Sequence, residues 1–382
     1  MLSRDAALIY LAAFLRSSAV GLIGVVLAIA LVEAGVSVAG TGIVMGAGLA
    51  GIATMTLVIT LAADRLGRRR TLVLMTLLTA GGYLAVAASA RLAWLLPAAF
   101  LGMLNGMGRD RGPAGTLEQA ILPETTDTAH RTWTLAWYNL VLDGGHALGG
   151  LAAAVPFAHR SMFMVCAASV LLSVVPYAAL SRRVEVVAPA ASAAPPEEDR
   201  RTRSAVSKLA LLFGIDSLGG GFLSSALIAY WFFQRYGFSE RELAILFFTA
   251  RTLNAASHVG AAWLARRIGL LNTMVLTHLP SSVLLMAAPA ASSGTLAAAL
   301  FLGRESLVEM DVPTRQSYVM AIVPPHRRTY ASGVTNLTRT IGWAVGPPIA
   351  GAVMQYVVLA APLFIGGGMK ILYDIVLFVA DC

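Results

Sequence analysis

Long apolar stretches separated by short polar loops make up most of the sequence. About 20 consecutive apolar residues are enough to cross the roughly 30 Å hydrocarbon core of a bilayer as a helix. By this measure the chain predicts six membrane spans, a polar stretch, and then six more spans. They lie at about 6–32, 38–62, 71–89, 93–122, 132–156 and 161–180, and then at about 205–233, 240–264, 271–291, 294–323, 329–354 and 358–380.

This order of spans predicts an all-α membrane protein with twelve transmembrane helices in two six-helix halves. Residues 1–181 form the N-terminal half and residues 205–382 the C-terminal half. The stretch 182–204 between them is rich in proline, alanine and charged residues, which is typical of a flexible linker. The first span is too long for a removed signal peptide and lacks a small-residue cleavage site, so we expect it to remain as a helix.

Composition supports the membrane assignment. Hydrophobic residues make up 57% of the 382 positions and charged residues only 13%, about half the charged fraction of soluble proteins. Mean hydropathy is +0.74. These values exclude a soluble enzyme, a disordered chain and a coiled coil, and they make the lipid bilayer the expected surroundings. Cys166 and Cys382 are the two cysteines of the sequence, which argues against a disulfide framework.

The net charge of +8 raises the question of nucleic-acid binding, and the positions of the basic residues answer it. When the predicted loops are assigned alternately to two sides, sixteen basic residues fall on one side. The other side holds Arg91, Arg160, Arg235 and Arg241. By the positive-inside rule the first side is cytoplasmic. We therefore expect both termini and the linker in the cytoplasm, and no nucleic-acid partner.

The two halves resemble one another. Asp110 stands ten residues before the start of an apolar-proline segment, AILP at 120–123, and Asp311 stands at the same distance before AIVP at 321–324, at an offset of 201. RTWTLAWYNL at 131–140 resembles RTYASGVTNL at 328–337, and LRSSAVGL at 15–22 aligns with IDSLGGGF at 215–222. The alignment places Arg16 opposite Asp216. A parallel repeat of six spans predicts a two-fold axis along the membrane normal and a cavity between the halves, which is typical of transporters.

The loop after the second span carries a known pattern. The segment ITLAADRLGRRR contains Asp64, Arg65, Gly67, Arg68 and Arg69 and resembles the Gly-x-x-x-Asp-Arg-x-Gly-Arg-Arg motif of the major facilitator superfamily, with Thr60 in place of its first glycine. The second half keeps only ARRIG at 265–269. The resemblance covers the whole chain in span number, linker position and repeat. It implies a secondary transporter of the rocker-switch type, in which Asp64 holds a cytoplasmic gate.

Opposite charges stand at equivalent places in the first span of each half. A charge at a helix centre costs roughly 2.5 to 3.5 kcal/mol on insertion scales, so it needs a partner or a wet cavity. We expect Arg16 and Asp216 to form a pair, either as a structural salt bridge or as a substrate or coupling site with one charge from each half.

Spans four and ten carry further clusters. Arg109, Asp110 and Arg111 lie in span four and are candidates either for the cavity or for the cytoplasmic gate. In span ten, helical spacing places Arg304, Asp311 and Arg315 on one self-neutralising face. Glu305 and Glu309 form an acidic face beside it. Because acids four apart repel one another, one of these two is a candidate for a carboxylate that binds a proton.

Spans five and twelve hold the remaining candidates. Asp143 and His146 are three residues apart in span five and could form a proton relay, although a polar patch between helices is the alternative. Lys370 and Asp374 in span twelve are four apart, and we expect them to neutralise one another. The glycine-proline signature of antiporters is not met in span five, where DGGHALGG at 143–150 has no proline.

Other kinds of chemistry have little support in the sequence. It contains no G-x-x-x-x-G-K-[ST] motif, no cysteine-histidine metal spacing and no nucleophile elbow. We therefore expect no enzymatic activity, no cofactor and no metal, and an ion gradient as the energy source. The favoured function is secondary active transport of a small solute across the cytoplasmic (inner) membrane by a monomer, coupled to protons or another ion, with export slightly ahead of uptake. An organic-anion or nutrient uptake carrier and a non-transporting sensor or assembly partner are the alternatives.

Overall fold

The architecture comes from a computed structural model. It describes residues 3–110, 112–124, 131–185, 196–311, 315 and 328–380. Side chains are described in these ranges except at 60–65, 123–124, 131–133, 135–136, 196–203, 205, 258–259, 262, 328–333 and 380. Within this part of the chain the regular structure is helical and no strand occurs, so the predicted all-α class is confirmed.

Fifteen α-helices are assigned in the described residues. Those before the linker are α1 (Arg4–Glu33), α2 (Val38–Leu66), α3 (Arg68–Ala88), α4 (Leu92–Gly102), α5 (Pro113–Glu124), α6 (Arg131–Ala152), α7 (His159–Leu172) and α8 (Val174–Ala178). Those after it are α9 (Pro196–Phe222), α10 (Ser225–Tyr236), α11 (Glu240–Ile268), α12 (Leu270–Ala287), α13 (Gly294–Val308), α14 (Arg328–Tyr356) and α15 (Ala361–Ala380). Short 3₁₀ turns cover Arg182–Glu185 and Ala288–Ala290.

Seven helical stretches of the described residues are long and apolar enough to cross a membrane. The first of them, α1, is also the most deeply buried. Its middle, from Ala19 to Leu31, is buried without interruption and includes two glycines. Burial on every side is what an apolar helix without a polar stripe requires, so α1 is a central packing element. The chain is therefore a multi-pass membrane protein.

The predicted fourth span is not one continuous helix. α4 ends at Gly102, with Met103 in the left-handed conformation as its C-cap (φ 53°), and α5 begins with Pro113 at its first position. The described residues between them, 103–110 and 112, form the span-four break. Gly108 has a positive φ of 69°, which glycine adopts without steric strain. Span seven is interrupted as well, between α9 and α10, at residues 223–224.

Contacts within the chain divide it into two compact units, Met1–Ala188 with Ser224–Phe248, and Pro189–Leu223 with Thr249–Cys382. In the first unit α1 packs on α6, α7 and α10. The contact with α6 is made by small residues: a Cβ on Gly149 would overlap the Ser18 carbonyl, and one on Gly145 would overlap the Ser17 hydroxyl. Glycines thus bring the first and fifth spans into backbone contact.

The second unit repeats this packing. α9 packs on α14 and α15, and Gly346 of α14 lies against Gly221 of α9, so close that a Cβ added to Gly346 would stand 2.4 Å from the Gly221 Cα. Gly149 and Gly346 are the positions that the internal repeat aligns. Each therefore lies where the fifth span of its half meets the first. The predicted division into residues 1–181, a linker and 205–382 stays a prediction.

Candidate functional site

The first unit buries a charge cluster between spans one and four. Arg16 of α1 is 6% exposed, and its Nε lies 2.5 Å from the Asp110 carboxylate. Its Nη2 lies 2.7 Å from the Glu118 carboxylate of α5. One guanidinium thus meets two carboxylates through separate nitrogens. The cluster carries one positive and two negative charges when both acids are ionised.

Glu118 is held by hydrogen bonds on both of its carboxylate oxygens. Arg16 donates to Oε1 and Oε2. The hydroxyl of Tyr138 in α6 donates to Oε2 at 2.7 Å, and the hydroxyl of Tyr177 in α8 donates to Oε1 at 2.6 Å. The Glu118 side chain is 0% exposed. Three side chains thus make four hydrogen bonds to this carboxylate, which fixes Glu118 in contact with Arg16.

Asp110 accepts fewer hydrogen bonds than Glu118. Its Oδ2 accepts from Arg16, and its Oδ1 accepts from the backbone N–H of Gly112 at 3.3 Å. Asp110 and Arg16 also line a cavity in the first unit, whose wall includes Asn105, Thr76 and Tyr83. Asp110 is therefore the carboxylate of the cluster that has both weaker hydrogen bonding and access to a cavity.

His146 of α6 holds the backbone at Asp110. The Asp110 N–H donates to His146 Nε2 at 2.8 Å, so that nitrogen carries a lone pair rather than a proton. His146 Nδ1 lies 3.9 Å from the Asp143 carboxylate, which is beyond a direct hydrogen bond. The structure thus brings the predicted pair Asp143 and His146 next to the span-four cluster. Asn139, which precedes Asp143 on the same helix, is exposed.

The span-four break also contacts the start of α10 within the same unit. The Ala226 N–H donates to the Gly106 carbonyl at 3.1 Å, and the Ser225 hydroxyl donates to the Met107 carbonyl at 3.0 Å. Inside the break, Asn105 donates its side-chain amide to the Arg109 carbonyl. An unwound backbone at membrane depth needs such partners, because lipid offers none.

The second unit contains its own buried charge chain. Asp216 of α9 accepts from Lys370 of α15 at 2.7 Å and from Arg315 at 3.1 Å. Arg315 also lies 2.8 Å from Asp311, so the expected neutralisation of that pair is confirmed. His278 of α12 lies 3.8 Å from Asp216 through its Nε2. The chain joins spans seven, nine, ten and twelve.

The residues of two predicted pairs have other direct partners within their own units, and the alternative of a substrate or coupling site with one charge from each half stays a prediction. Arg16 has Asp110 and Glu118 as its partners in the first unit, and Asp216 has Lys370 and Arg315 in the second. Each charge is therefore neutralised by residues of its own half. The expected Lys370–Asp374 pair is replaced in the same way, because Lys370 bonds Asp216 and Asp374 bonds His278.

The acidic face of span ten has a different arrangement from the expected one. Glu305 accepts from Asn254 of α11 at 2.8 Å and contacts its neighbour Arg304. Glu309 is buried at the C-cap of α13. Glu305 therefore has a cation and an amide as partners, and the expectation that Glu305 or Glu309 binds a proton stays a prediction.

The loop motif surrounds the N-terminus of α3. Gly67 precedes the helix with φ 91°, and the Glu185 carboxylate accepts from the backbone N–H groups of Arg68 and Arg69 at 2.6 and 3.2 Å. An acid at this end satisfies orphan N–H groups and the helix dipole. The side chains of Asp64 and Arg65, and all of Arg111, lie outside the described residues.

Several residues of these networks had no part in the sequence-based prediction. Glu118 and His278 are ionisable residues within predicted spans, which is itself a signal of function. Tyr138 and Tyr177 gave no such signal, since tyrosine is common in apolar helices. Among the described residues, no group of three or more histidine, cysteine or acidic side chains could hold a metal ion.

A helical, multi-pass membrane protein with a charge network inside each unit is the class that the fold and these sites define. Residues 9–347 match the family model of the Major Facilitator Superfamily, so the chain belongs to that superfamily. Over 418 aligned residues it is 27% identical to the uncharacterized membrane protein YJR124C of Saccharomyces cerevisiae, covering 98% of this chain and 93% of the relative. Membership of this family points to a transporter.

Solved structures share the fold. A mutant of the nucleoside transporter NupG superposes with a TM-score of 0.80 at 12% identity, covering 98% of this chain and 99% of the other. A bacterial homologue of the human lysosomal transporter Spinster gives 0.74 at 16% identity, covering 100% and 96%. The human organic anion transporter MFSD10 gives 0.63 at 18% identity, covering 98% and 99%. At these identities the likeness concerns the fold.

Proposed function

We propose that this protein is a secondary active transporter that exports a small organic solute in exchange for protons by alternating access. The observation that carries the proposal is the Arg16–Asp110–Glu118 cluster. It buries one positive and two negative charges beside a cavity, and one negative charge in a low-dielectric site is costly until a cation neutralises it. A proton is the smallest cation that can do so.

Asp110 is the proposed proton carrier. Among the described residues, Glu118 accepts four hydrogen bonds, whereas Asp110 accepts two and lines the cavity. When Asp110 takes a proton it loses its ionic attraction to Arg16 Nε, while Glu118 keeps Arg16 neutralised. Proton binding thus loosens the span-four break from α1 without leaving an unpaired arginine.

The same geometry bears on whether the solute is an anion. Arg16 is matched by two carboxylates, so its presence in span one does not by itself favour an anionic solute. NupG is a nucleoside transporter and MFSD10 an organic anion transporter, and we include both classes of compound among the solutes to be tested. We further propose a monomer in the cytoplasmic (inner) membrane with both termini in the cytoplasm.

Purified protein in liposomes that enclose a pH-sensitive dye provides the test. Liposomes are loaded with one nucleoside, organic anion, organic cation or sugar and diluted into solute-free buffer. Antiport predicts that solute efflux acidifies the interior, whereas symport predicts that it becomes alkaline. A substrate that leaves without any pH change contradicts proton coupling, and the absence of movement with every solute favours the non-transporting alternative.

Asp110→Asn is the variant that addresses the proton carrier. We expect it to abolish solute-driven pH change while solute exchange across the membrane at equal pH continues. Glu242→Gln is the matched control, because Glu242 is an exposed acid that caps α11 together with Ser239 and glutamine serves equally well in such a capping box. If Asp110→Asn and the control couple protons equally, Asp110 is not the carrier.

A further inference from the structure

His278 lies at the centre of the buried charge chain in the second unit. Its Nδ1 lies 2.9 Å from both carboxylate oxygens of Asp374. Its Nε2 lies 3.4 Å from Lys370 Nζ and 3.8 Å from an oxygen of Asp216. The His278 side chain is 2% exposed and that of Asp374 is 0% exposed. One ring nitrogen of His278 therefore faces the acid Asp374. The other faces both the cation Lys370 and the acid Asp216.

Among the described residues of this chain, the charges do not balance when His278 is neutral and the three carboxylates are ionised. Its cations are Lys370 and Arg315, and its three carboxylates are Asp216, Asp311 and Asp374. Two positive and three negative charges leave one negative charge in a site that excludes water. A proton on His278 makes the sum of these groups zero. The cost of an uncompensated buried charge therefore favours proton binding at this imidazole.

The elements packed against α12 supply the groups that decide the charge of the imidazole. From α15, Lys370 and Asp374 contact it, and the ring of Tyr373 lies 6.1 Å away, edge to face. From α9 the facing group is Asp216, which links His278 to Arg315 and so to span ten.

Span ten adds three more charged groups to this side. On α13, Arg304 and Glu305 contact one another, so this pair adds no net charge. Glu309, at the C-cap of α13, is buried and acts electrostatically on Arg315. With an ionised Glu309 included, a proton on His278 reduces the net charge of these groups from −2 to −1, so the direction of the effect is unchanged.

We propose that His278 is a second proton-binding site of the transport cycle, separate from Asp110. The proposal deepens the proposed proton coupling and rests on it. In the neutral state Nδ1–H donates to Asp374, and Nε2 accepts from the Lys370 ammonium. The incoming proton binds Nε2, which can then no longer accept from Lys370. The new Nε2–H donates to the Asp216 carboxylate instead.

This exchange of partners connects proton binding to span seven. Asp216 lies on α9, which packs on α14 and α15, and its oxygens are shared between Lys370 and Arg315. When the protonated imidazole competes for the Oδ1 oxygen of Asp216, the hydrogen bond from Lys370 to Asp216 of α9 weakens. A proton taken up on span nine thereby weakens the contact between spans seven and twelve.

Histidine NMR on the purified protein measures proton binding without any transport. The protein is labelled with ¹⁵N-histidine, and the sequence contains six histidines. The His278 signal is assigned by its loss in His278→Gln, or in His278→Asn if the first variant does not fold. We expect the signal to change from a neutral to a doubly protonated imidazole between pH 9 and pH 5. A signal that stays neutral throughout overturns the proposal.

Two variants separate a proton site from a structural hydrogen bond. Asp374→Asn removes one negative charge, so the midpoint pH of the His278 transition should fall by about 1 to 3 units. Lys370→Gln removes one positive charge, so the midpoint pH should rise by a similar amount. Ser281→Ala is the control, because the Ser281 hydroxyl bonds the His278 backbone carbonyl and its loss should leave the midpoint unchanged. Shifts in the same direction for both charge variants would contradict the proposal.

Transport measurements distinguish this inference from the proposed function. If protons are coupled at both sites, His278→Gln should move about one proton fewer per solute than the wild type. A wild-type protein that moves no protons, while its His278 signal titrates, would refute the proposed coupling and leave the proton site standing. Coupled transport with a His278 signal that never titrates would refute only the second site.

Discussion

Arg16 is stable in an apolar helix because its guanidinium has a separate carboxylate for each edge. Nε meets Asp110 and Nη2 meets Glu118, and two tyrosine hydroxyls complete the shell of Glu118. Truncating one partner of such a buried pair leaves an uncompensated charge, which costs about 3–5 kcal/mol, whereas removing both partners costs much less. The two members of the pair should therefore be strongly coupled in stability.

A double-mutant cycle on Arg16 and Glu118 tests this coupling. We expect Arg16→Met and Glu118→Gln each to lower the free energy of unfolding by about 3 kcal/mol. The double variant should lose clearly less than the sum of the two, giving a coupling of about 1 to 3 kcal/mol. Thermal unfolding of the detergent-solubilised protein at neutral pH provides the measurement. Additive losses would show that the contact contributes nothing.

At the residue scale, the sequence identified Arg16 and Asp216 as charges within membrane spans but did not identify their partners. Arg16 and Asp216 stand out because hydropathy shows that each interrupts an apolar span. Hydropathy does not show the direction of a side chain or the neighbour it meets. Glu118 lies 102 positions after Arg16, and the choice of that partner depends on how span four turns towards span one. That information resides in tertiary packing.

At the scale of elements, the apolar pattern located most helices of the described residues to within a few residues, but it did not show the interruptions in spans four and seven. A window of about 20 residues averages over such interruptions. The signals were present, since Gly106, Gly108, Gly112 and Pro113 stand close together and such residues interrupt helices. The break is held by distant groups, His146, Ser225 and Ala226, which no local pattern reveals.

The close contact of α1 with α6 gives a prediction about Gly149. A Cβ at this position overlaps the Ser18 carbonyl, which is backbone and cannot rotate away. Gly149→Ala should therefore lower the free energy of unfolding by about 1–3 kcal/mol through overpacking. Thermal unfolding in detergent measures the loss. Separation of α1 from α6 should also weaken the His146 contact to the span-four break.

Gly144→Ala is the matched control on the same helix. A Cβ on Gly144 meets nothing within 4 Å, so alanine should be neutral or should stabilise the helix by up to about 1 kcal/mol. The contrast between two glycine-to-alanine changes on α6 removes helix propensity as an explanation. Equal effects at both positions would contradict the proposed close packing.

At the scale of the whole molecule, each half has a buried ionic contact between its first and fourth spans, and the charges of the contact are reversed between the halves. In the first unit a cation on span one, Arg16, is held by acids on span four. In the second unit an acid on span seven, Asp216, is held by Arg315 of span ten and by Lys370 of span twelve. The repeat therefore retains the position of the ionic contact between the first and fourth spans while exchanging the signs.

The predicted orientation of the chain is testable by labelling. Single cysteines at Ala90, in the predicted external loop after span three, and at Arg183, after span six, are introduced into a Cys382→Ser background. Cys166 can remain because it is buried. In intact cells a membrane-impermeant maleimide should label Ala90→Cys but not Arg183→Cys, and permeabilised cells should label both. The reverse pattern in intact cells would invert the proposed topology.

The separation of Arg16 from its partners along the chain has a consequence for biosynthesis. Asp110 follows Arg16 by 94 residues, so at about 5–20 residues per second the arginine waits on the order of 5 to 20 s for its first carboxylate. During this time span one carries an unmatched charge in lipid or at the insertion machinery. Release of span one into the bilayer should therefore be delayed until span four emerges from the ribosome.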